Sequence, residues 1–345
     1  MKTLSYKNLL LVIVLPPFDL EKLLREDNGA LGKTYVYTYD NAGNITSKKT
    51  YSLTAEGVTP TSPTSTYSYG YSTSGWGDML TSYRGWSITY DALGNPLSYY
   101  NGYSYTFSWT GRQLTGATYN GNTYTFVYND EGIRTSKTRN GVKTTYRLDG
   151  SQIAYEETEG NITVYLYDSN GLPVGMQYHG ASYAEDAWDI YWFEKNLQGE
   201  QTKKRLIIVF VKRSPPSASR TSRDLSRRRH TTHEWTGACP VIAVYDRAGN
   251  KLITYTYDAW GNTTTTYYNN AASTTAINNP FRYRGYYYDQ DLKLYYLNTR
   301  YYDSKTGRFI NPDGYISTGQ GILGYNMYAY CGNNPVMGID PTGQA

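Results

Sequence analysis

The sequence predicts an all-β protein built as an array of antiparallel β-hairpins, and two observations predict it: the residue usage and one short phrase that keeps returning. Tyrosine is unusually frequent, with 41 copies beside 33 glycines, while Met, His and Cys together number ten. Strand-favouring aromatics and turn-forming glycines are hairpin material. A core made from them must be largely tyrosine, whose flat apolar body carries a hydroxyl that needs a partner.

The phrase is Y-D-x-x-G-N. It occurs strictly at Tyr39-Asp40-Asn41-Ala42-Gly43-Asn44, Tyr90-Asp91-Ala92-Leu93-Gly94-Asn95, Tyr245-Asp246-Arg247-Ala248-Gly249-Asn250 and Tyr257-Asp258-Ala259-Trp260-Gly261-Asn262. Looser copies start at Tyr128, Tyr167 and Tyr302. Each copy ends one alternating run, such as Tyr35-Val36-Tyr37-Thr38-Tyr39, and starts another, which reads as strand, turn, strand. The Asp carboxylate can cap the turn backbone and the Gly can supply positive φ. Alternation puts Tyr35, Tyr37 and Tyr39 on one face, and the same pattern returns at Tyr103, Tyr105, Phe107 and Trp109. One carboxylate and one Asn per phrase are too few oxygens for calcium, so the repeat Asp residues are read as turn caps. Spacing between copies is uneven, giving an array with variable loops and not a strict solenoid.

The ends and the cysteines are less informative. Leu9 to Leu15 form a seven-residue apolar run behind Lys2 and Lys7. It runs into Pro16-Pro17 without a small-residue cleavage site, which argues against a signal peptide. It is also too short to span a bilayer. Cys239 and Cys331 lie too far apart to define a disulfide framework, and no cofactor is called for.

From Arg282 the chain reads RYRGYYYDQDLKLYYLNTRYYDSKTGRFINPDG, and later NMYAYCGNNPVMGIDPTG as far as Gly343. With the upstream phrases, these stretches resemble the tyrosine-aspartate (YD) repeats and repeat-associated core of Rhs proteins and the related insecticidal toxin-complex C components. The resemblance implies a curved ribbon, part of a β-spiral shell closed by the core module, that encloses a toxic passenger. It also implies an aspartyl self-protease that cuts just beyond D-P-x-G, with Asp313, Asp340 and the supporting Arg300 as candidates. Close carboxylates cannot both ionise, so one can act as acid while the other activates water. An Arg would orient them. The competing reading is that both Asp residues cap turns beside proline. Gln344 departs from the apolar residue usual after Gly343, and with Ala345 last the expectation is of a shell part without its toxin.

Residues 201–240 break the pattern. They contain no tyrosine and ten Lys or Arg against Asp224 and Glu234, a net of +8 in a chain of +4. A nucleic-acid-binding arm through Arg220, Arg223 and Arg227 to Arg229 is one reading. Zinc on His230, His233 and Cys239 is another, opposed by the missing fourth ligand, so no metal is assigned. The reading adopted is an inserted basic loop that splits one repeat. The expected divisions are therefore an N-terminal segment (1–30), a hairpin array (31–200), the insertion (201–240), further repeats (241–281) and the core module (282–345).

The function expected is a shell or encapsulating protein of a polymorphic toxin delivery system, secreted or at the cell surface, self-cleaving or merely structural. Its partners would be upstream shell or a toxin cargo, with no membrane span, and nucleic acid is disfavoured. Cell-surface glycans stacking on the aromatic hairpins are the alternative.

Overall fold

The computed structural model describes residues 22–75, 77–195, 240–268, 275–314 and 326–344, and the backbone of Leu206–Val209. The N-terminal apolar run and nearly all of the basic insertion, with His230, His233 and Cys239, lie outside the described residues.

The protein is all-β and antiparallel, as expected. A first sheet contains β1 (Arg25–Asn28), β2 (Lys33–Tyr39), β3 (Ile45–Ser52), β4 (Ser65–Tyr71), β5 (Leu80–Tyr83) and β6 (Trp86–Ser87). The second begins with β7 (Thr89–Tyr90), β8 (Pro96–Tyr100), β9 (Ser104–Thr110), β10 (Gln113–Tyr119), β11 (Asn122–Tyr128) and β12 (Arg134–Arg139). It continues through β13 (Val142–Asp149), β14 (Gln152–Thr158), β15 (Asn161–Tyr167), β16 (Pro173–His179) and β17 (Asp189–Lys195). β18 (Leu206–Val209) leaves this order to pair with β1. β19 (Val241–Asp246), β20 (Lys251–Tyr257) and β21 (Thr263–Tyr267) complete the second sheet. Almost every strand pairs with its sequence neighbours, so the two sheets form a meandering ribbon. They meet at Ile88, which separates β6 from β7 and donates its N–H to Thr81 O at 2.8 Å.

β17 pairs directly with β19, Lys195 opposite Val241. The ladder is thus continuous from β17 to β19.

The phrase folds as one turn. At Asp91, the Oδ1 atom accepts the N–H of Leu93 (2.8 Å) and of Asn95 (2.9 Å), and Gly94 N–H closes on Asp91 O at 3.1 Å. Gly94 has φ +83°, open to glycine without strain. The Asn has a part that the sequence did not disclose. Asn95 Nδ2 binds Asp91 Oδ2 (2.8 Å) and then reaches Gly111 O (2.8 Å), tying this turn to the next. Asn44 and Asn262 do the same toward Gly77 O and Ser304 O. The phrase Tyr stitches in the other direction: Tyr90, Tyr128 and Tyr167 donate their hydroxyls to the carbonyls of Leu80, Leu114 and Ile153 at 2.9, 2.8 and 2.7 Å. Buried hydroxyls thereby find partners without breaking the ladder.

One face of the ribbon is aromatic and points inward. Tyr35, Tyr37, Tyr99, Tyr105, Phe107, Tyr124 and Phe126 are all buried. Tyr103 departs from its expected place: it sits in the turn before β9, exposed, under the Lys305 ammonium 3.6 Å from its ring. Trp109 is half-buried, its ring edge-on to Phe107.

The inner face of the ribbon, the wall of the fold, wraps a four-stranded C-terminal module: β22 (Tyr287–Asp289), β23 (Leu294–Leu297), β24 (Arg300–Asp303) and β25 (Arg308–Phe309). Wall and module interlock through Tyr105 Oη on Leu292 O (2.9 Å), Tyr99 Oη on Asp303 Oδ2 (2.8 Å) and Tyr328 Oη on Gly94 O (2.7 Å). The ribbon curls far enough for its start to meet its end. Asn28 Nδ2 reaches Tyr257 O at 2.9 Å, Ala259 N–H reaches Glu26 Oε1 at 3.0 Å, and Lys48 pairs with Asp258 at 2.9 Å.

Candidate functional site

The candidate triad comes from three separate pieces of the C-terminal module. Arg300 opens β24, Asp313 lies in the loop after β25, and Asp340 lies in the C-terminal turns. Asp313 is placed by its N–H on Met327 O (2.9 Å), and Asp340 by its N–H on the Tyr286 hydroxyl (3.0 Å).

The fold brings all three together. Arg300 Nη2 lies 3.0 Å from Asp313 Oδ2 and 3.1 Å from Asp340 Oδ2. All three are buried, Asp340 completely. The guanidinium rests on the Phe309 ring 3.5 Å from its centroid, and Nη1 donates to Met327 O at 3.2 Å. Burial pushes the Arg300 pKa down, against the pull of Asp313 and Asp340. A guanidinium starts so high that it stays charged, one cation shared by two carboxyls.

The last residues of the chain run through this cluster. Arg300 Nε donates to the carbonyl of Gly343, and Gln344 N–H donates to Asp340 Oδ1 at 2.9 Å. The peptide that joins the Gly of D-P-x-G to the next residue is thus in direct contact with two of the three candidates. Two carboxyls beside a peptide, with a cation anchoring both, is a constellation able to supply an acid and a base to an amide bond.

Sequence reasoning missed several supports. Arg112, in the wall turn between β9 and β10, donates Nη1 to Pro312 O (3.1 Å) and to Asp313 O. Nothing in its local sequence marks it, because the contact spans about two hundred residues. Tyr286 and Phe309 are also silent in the sequence, being two aromatics among many. Thr299 binds the carbonyls of Thr342 and Gly343, and its adjacency to Arg300 is the only hint. The repeat Asp residues Asp40, Asp91, Asp168, Asp246 and Asp258 each cap their own turns and do not converge. Cys331 is buried, and burial pushes its thiol up to about 12, which makes it a packing residue.

No family model matches the chain. It is 30% identical over 332 residues, 94% of its length, to a tRNA3(Ser)-specific nuclease WapA of Bacillus spizizenii, of which it spans 11%. It is 37% identical over 102 residues to double-stranded DNA deaminase toxin A of Burkholderia cenocepacia, covering 30% of this chain and 7% of that protein. The Tc holotoxin pore of Photorhabdus luminescens, with its TccC3 component, superposes with a TM-score of 0.57 over 93% of this chain and 15% of that one, at 17% identity. The last likeness shows the fold. The chain therefore resembles a short stretch of much longer, toxin-related proteins.

Proposed function

We propose that this chain is wall and closing module of an Rhs-type toxin-delivery shell, carried on an exported protein, with an aspartyl self-cleavage site at the module's C-terminal end. The observation that carries the proposal is the contact of the Gly343–Gln344 segment with Arg300 and Asp340, in a cluster buried by the wall that surrounds it. In this reading Asp313 and Asp340 divide the acid and base roles, Arg300 orients both, and Arg112 ties the wall to the loop of Asp313. Hydrolysis adds water across a C–N bond: hydroxide joins the carbonyl carbon and a proton goes to the departing nitrogen.

Intact mass spectrometry of the purified chain and of Asp340→Asn tests the site. The parent is expected to lose the residues beyond the cut, and the variant to keep its full mass. A parent that stays whole to Ala345 would refute self-cleavage.

A further inference from the structure

Resting on the self-cleavage reading, we propose that Thr299 is a positioning residue for the cut, its hydroxyl gripping the carbonyls of Thr342 and Gly343 so that the segment at Gly343 and Gln344 lies in register with Asp313 and Asp340.

Thr299 is the residue between β23 and β24 that follows Asn298, whose φ is +55°. That tight reversal turns the Thr side chain and N–H toward the C-terminal segment. The N–H is shared between Leu297 O at 2.6 Å, which closes the reversal, and Thr342 O at 3.3 Å, while Oγ1 lies 2.9 Å from Thr342 O and 2.9 Å from Gly343 O. A hydroxyl has one proton, so it serves one of these carbonyls at a time. Arg300 Nε supplies a second donor to Gly343 O, and Asp340 Oδ1 takes the following N–H. Thr299, Arg300 and Asp340 therefore hold both polar groups of the Gly343–Gln344 peptide.

The fit leaves no room for a side chain at Gly343. Its φ is +76°, and a Cβ there would stand 2.6 Å from Leu297 O and 2.8 Å from Thr299 Oγ1. Thr299 is thus one wall of a cradle that selects glycine and fixes the path of the residues after it. Donors aimed at a peptide carbonyl both orient and polarise it, and small misplacements of a reacting peptide are costly. The contacts of the Thr299 hydroxyl are with the peptide itself, so it acts by placing that peptide.

Following intact mass with time for the full chain and for Thr299→Val, Thr299→Ala and Thr299→Ser, with thermal melting of each, tests this role. The hydroxyl-free variants are expected to cut more slowly by roughly tenfold or more, and Thr299→Ser to return close to the parental rate. Melting separates a slowed cut from a loosened fold, and Thr299→Ala covers the case in which the branched valine fails to fold. A parent that cuts while either folded hydroxyl-free variant keeps pace overturns the role of Thr299 and leaves self-cleavage standing. A parent that never cuts overturns both.

Discussion

Aspartate is used in opposite ways by the wall and by the module it encloses. In the wall, half-buried Asp246 is answered within four residues: the Asn250 side chain and neighbouring backbone N–H groups hold its carboxyl below the usual range. In the module, Asp289 is buried, which alone would raise its carboxyl, yet Lys137 and Arg134 from β12 hold it well below the usual range. Those partners lie more than 150 positions away in the chain. The first arrangement needs only a turn to form; the second needs the ribbon to have closed on the module. Local aspartates should therefore be cheap to lose, and remote ones expensive.

The largest effect follows from Arg134, fully buried with one arm 2.9 Å from Asp289 and the Tyr296 ring 4.5 Å from its centre. Arg134→Met leaves a buried carboxylate with Lys137 alone. It should cost about 3–5 kcal/mol in a denaturant titration, because an uncompensated buried charge is far worse than the loss of a pair. Arg134→Met combined with Asp289→Leu should recover much of that. A single variant that unfolds like the parent would break the contrast between wall and module.

Glu26 sits where the two ends of the ribbon meet, and it makes the seam sensitive to pH. Its side chain is fully buried, with Oε1 bound by Asn28 and Ala259, and burial together with nearby Asp258 raises its carboxyl to about 8. The folded protein thus keeps a proton that the unfolded chain gives up near its ordinary value of 4.5. With the folded pKa above the unfolded one, this group's contribution to stability is full below 4.5, declines as pH rises, and is gone once pH passes about 8. Glu26→Gln should flatten that decline, seen as a smaller fall in melting temperature between pH 5 and pH 8 on the parent's scale. Equal slopes for the two proteins would remove Glu26 from the seam's electrostatics.

The hairpins were legible because everything they need is local. Asp, Gly and the alternation of Tyr35 and Tyr37 report a turn and a face within a dozen residues. The candidates Arg300, Asp313 and Asp340 came from the resemblance alone, and the physics that gathers them passes through Phe309, Tyr286 and the wall residue Arg112, which no local pattern marks. The seam was not legible at all. Glu26 falls in the stretch read only as an N-terminal segment, and its partners Asp258 and Ala259 belong to a phrase that reads as one more turn. Composition cannot distinguish a phrase at the surface from one that closes the ribbon.

That last ambiguity supports the smallest and sharpest test, because the same phrase occurs in both settings. Asp246 and Asp258 make the same set of turn contacts, each Oδ1 accepting N–H groups two and four residues ahead and each Oδ2 taking the Asn amide. They differ only in surroundings: Asp258 is 4% exposed and paired with the buried Lys48, whereas Asp246 is half-buried at the edge of its turn. Asp246→Ala should cost under about 1 kcal/mol, the value of an exposed turn's hydrogen bonds. Asp258→Ala should cost clearly more, since it also strands an ammonium under the tyrosines. Urea midpoints of the two variants would show the gap directly. If they coincide, the seam adds nothing to the turn, and the ribbon's closure is a contact without energetic weight.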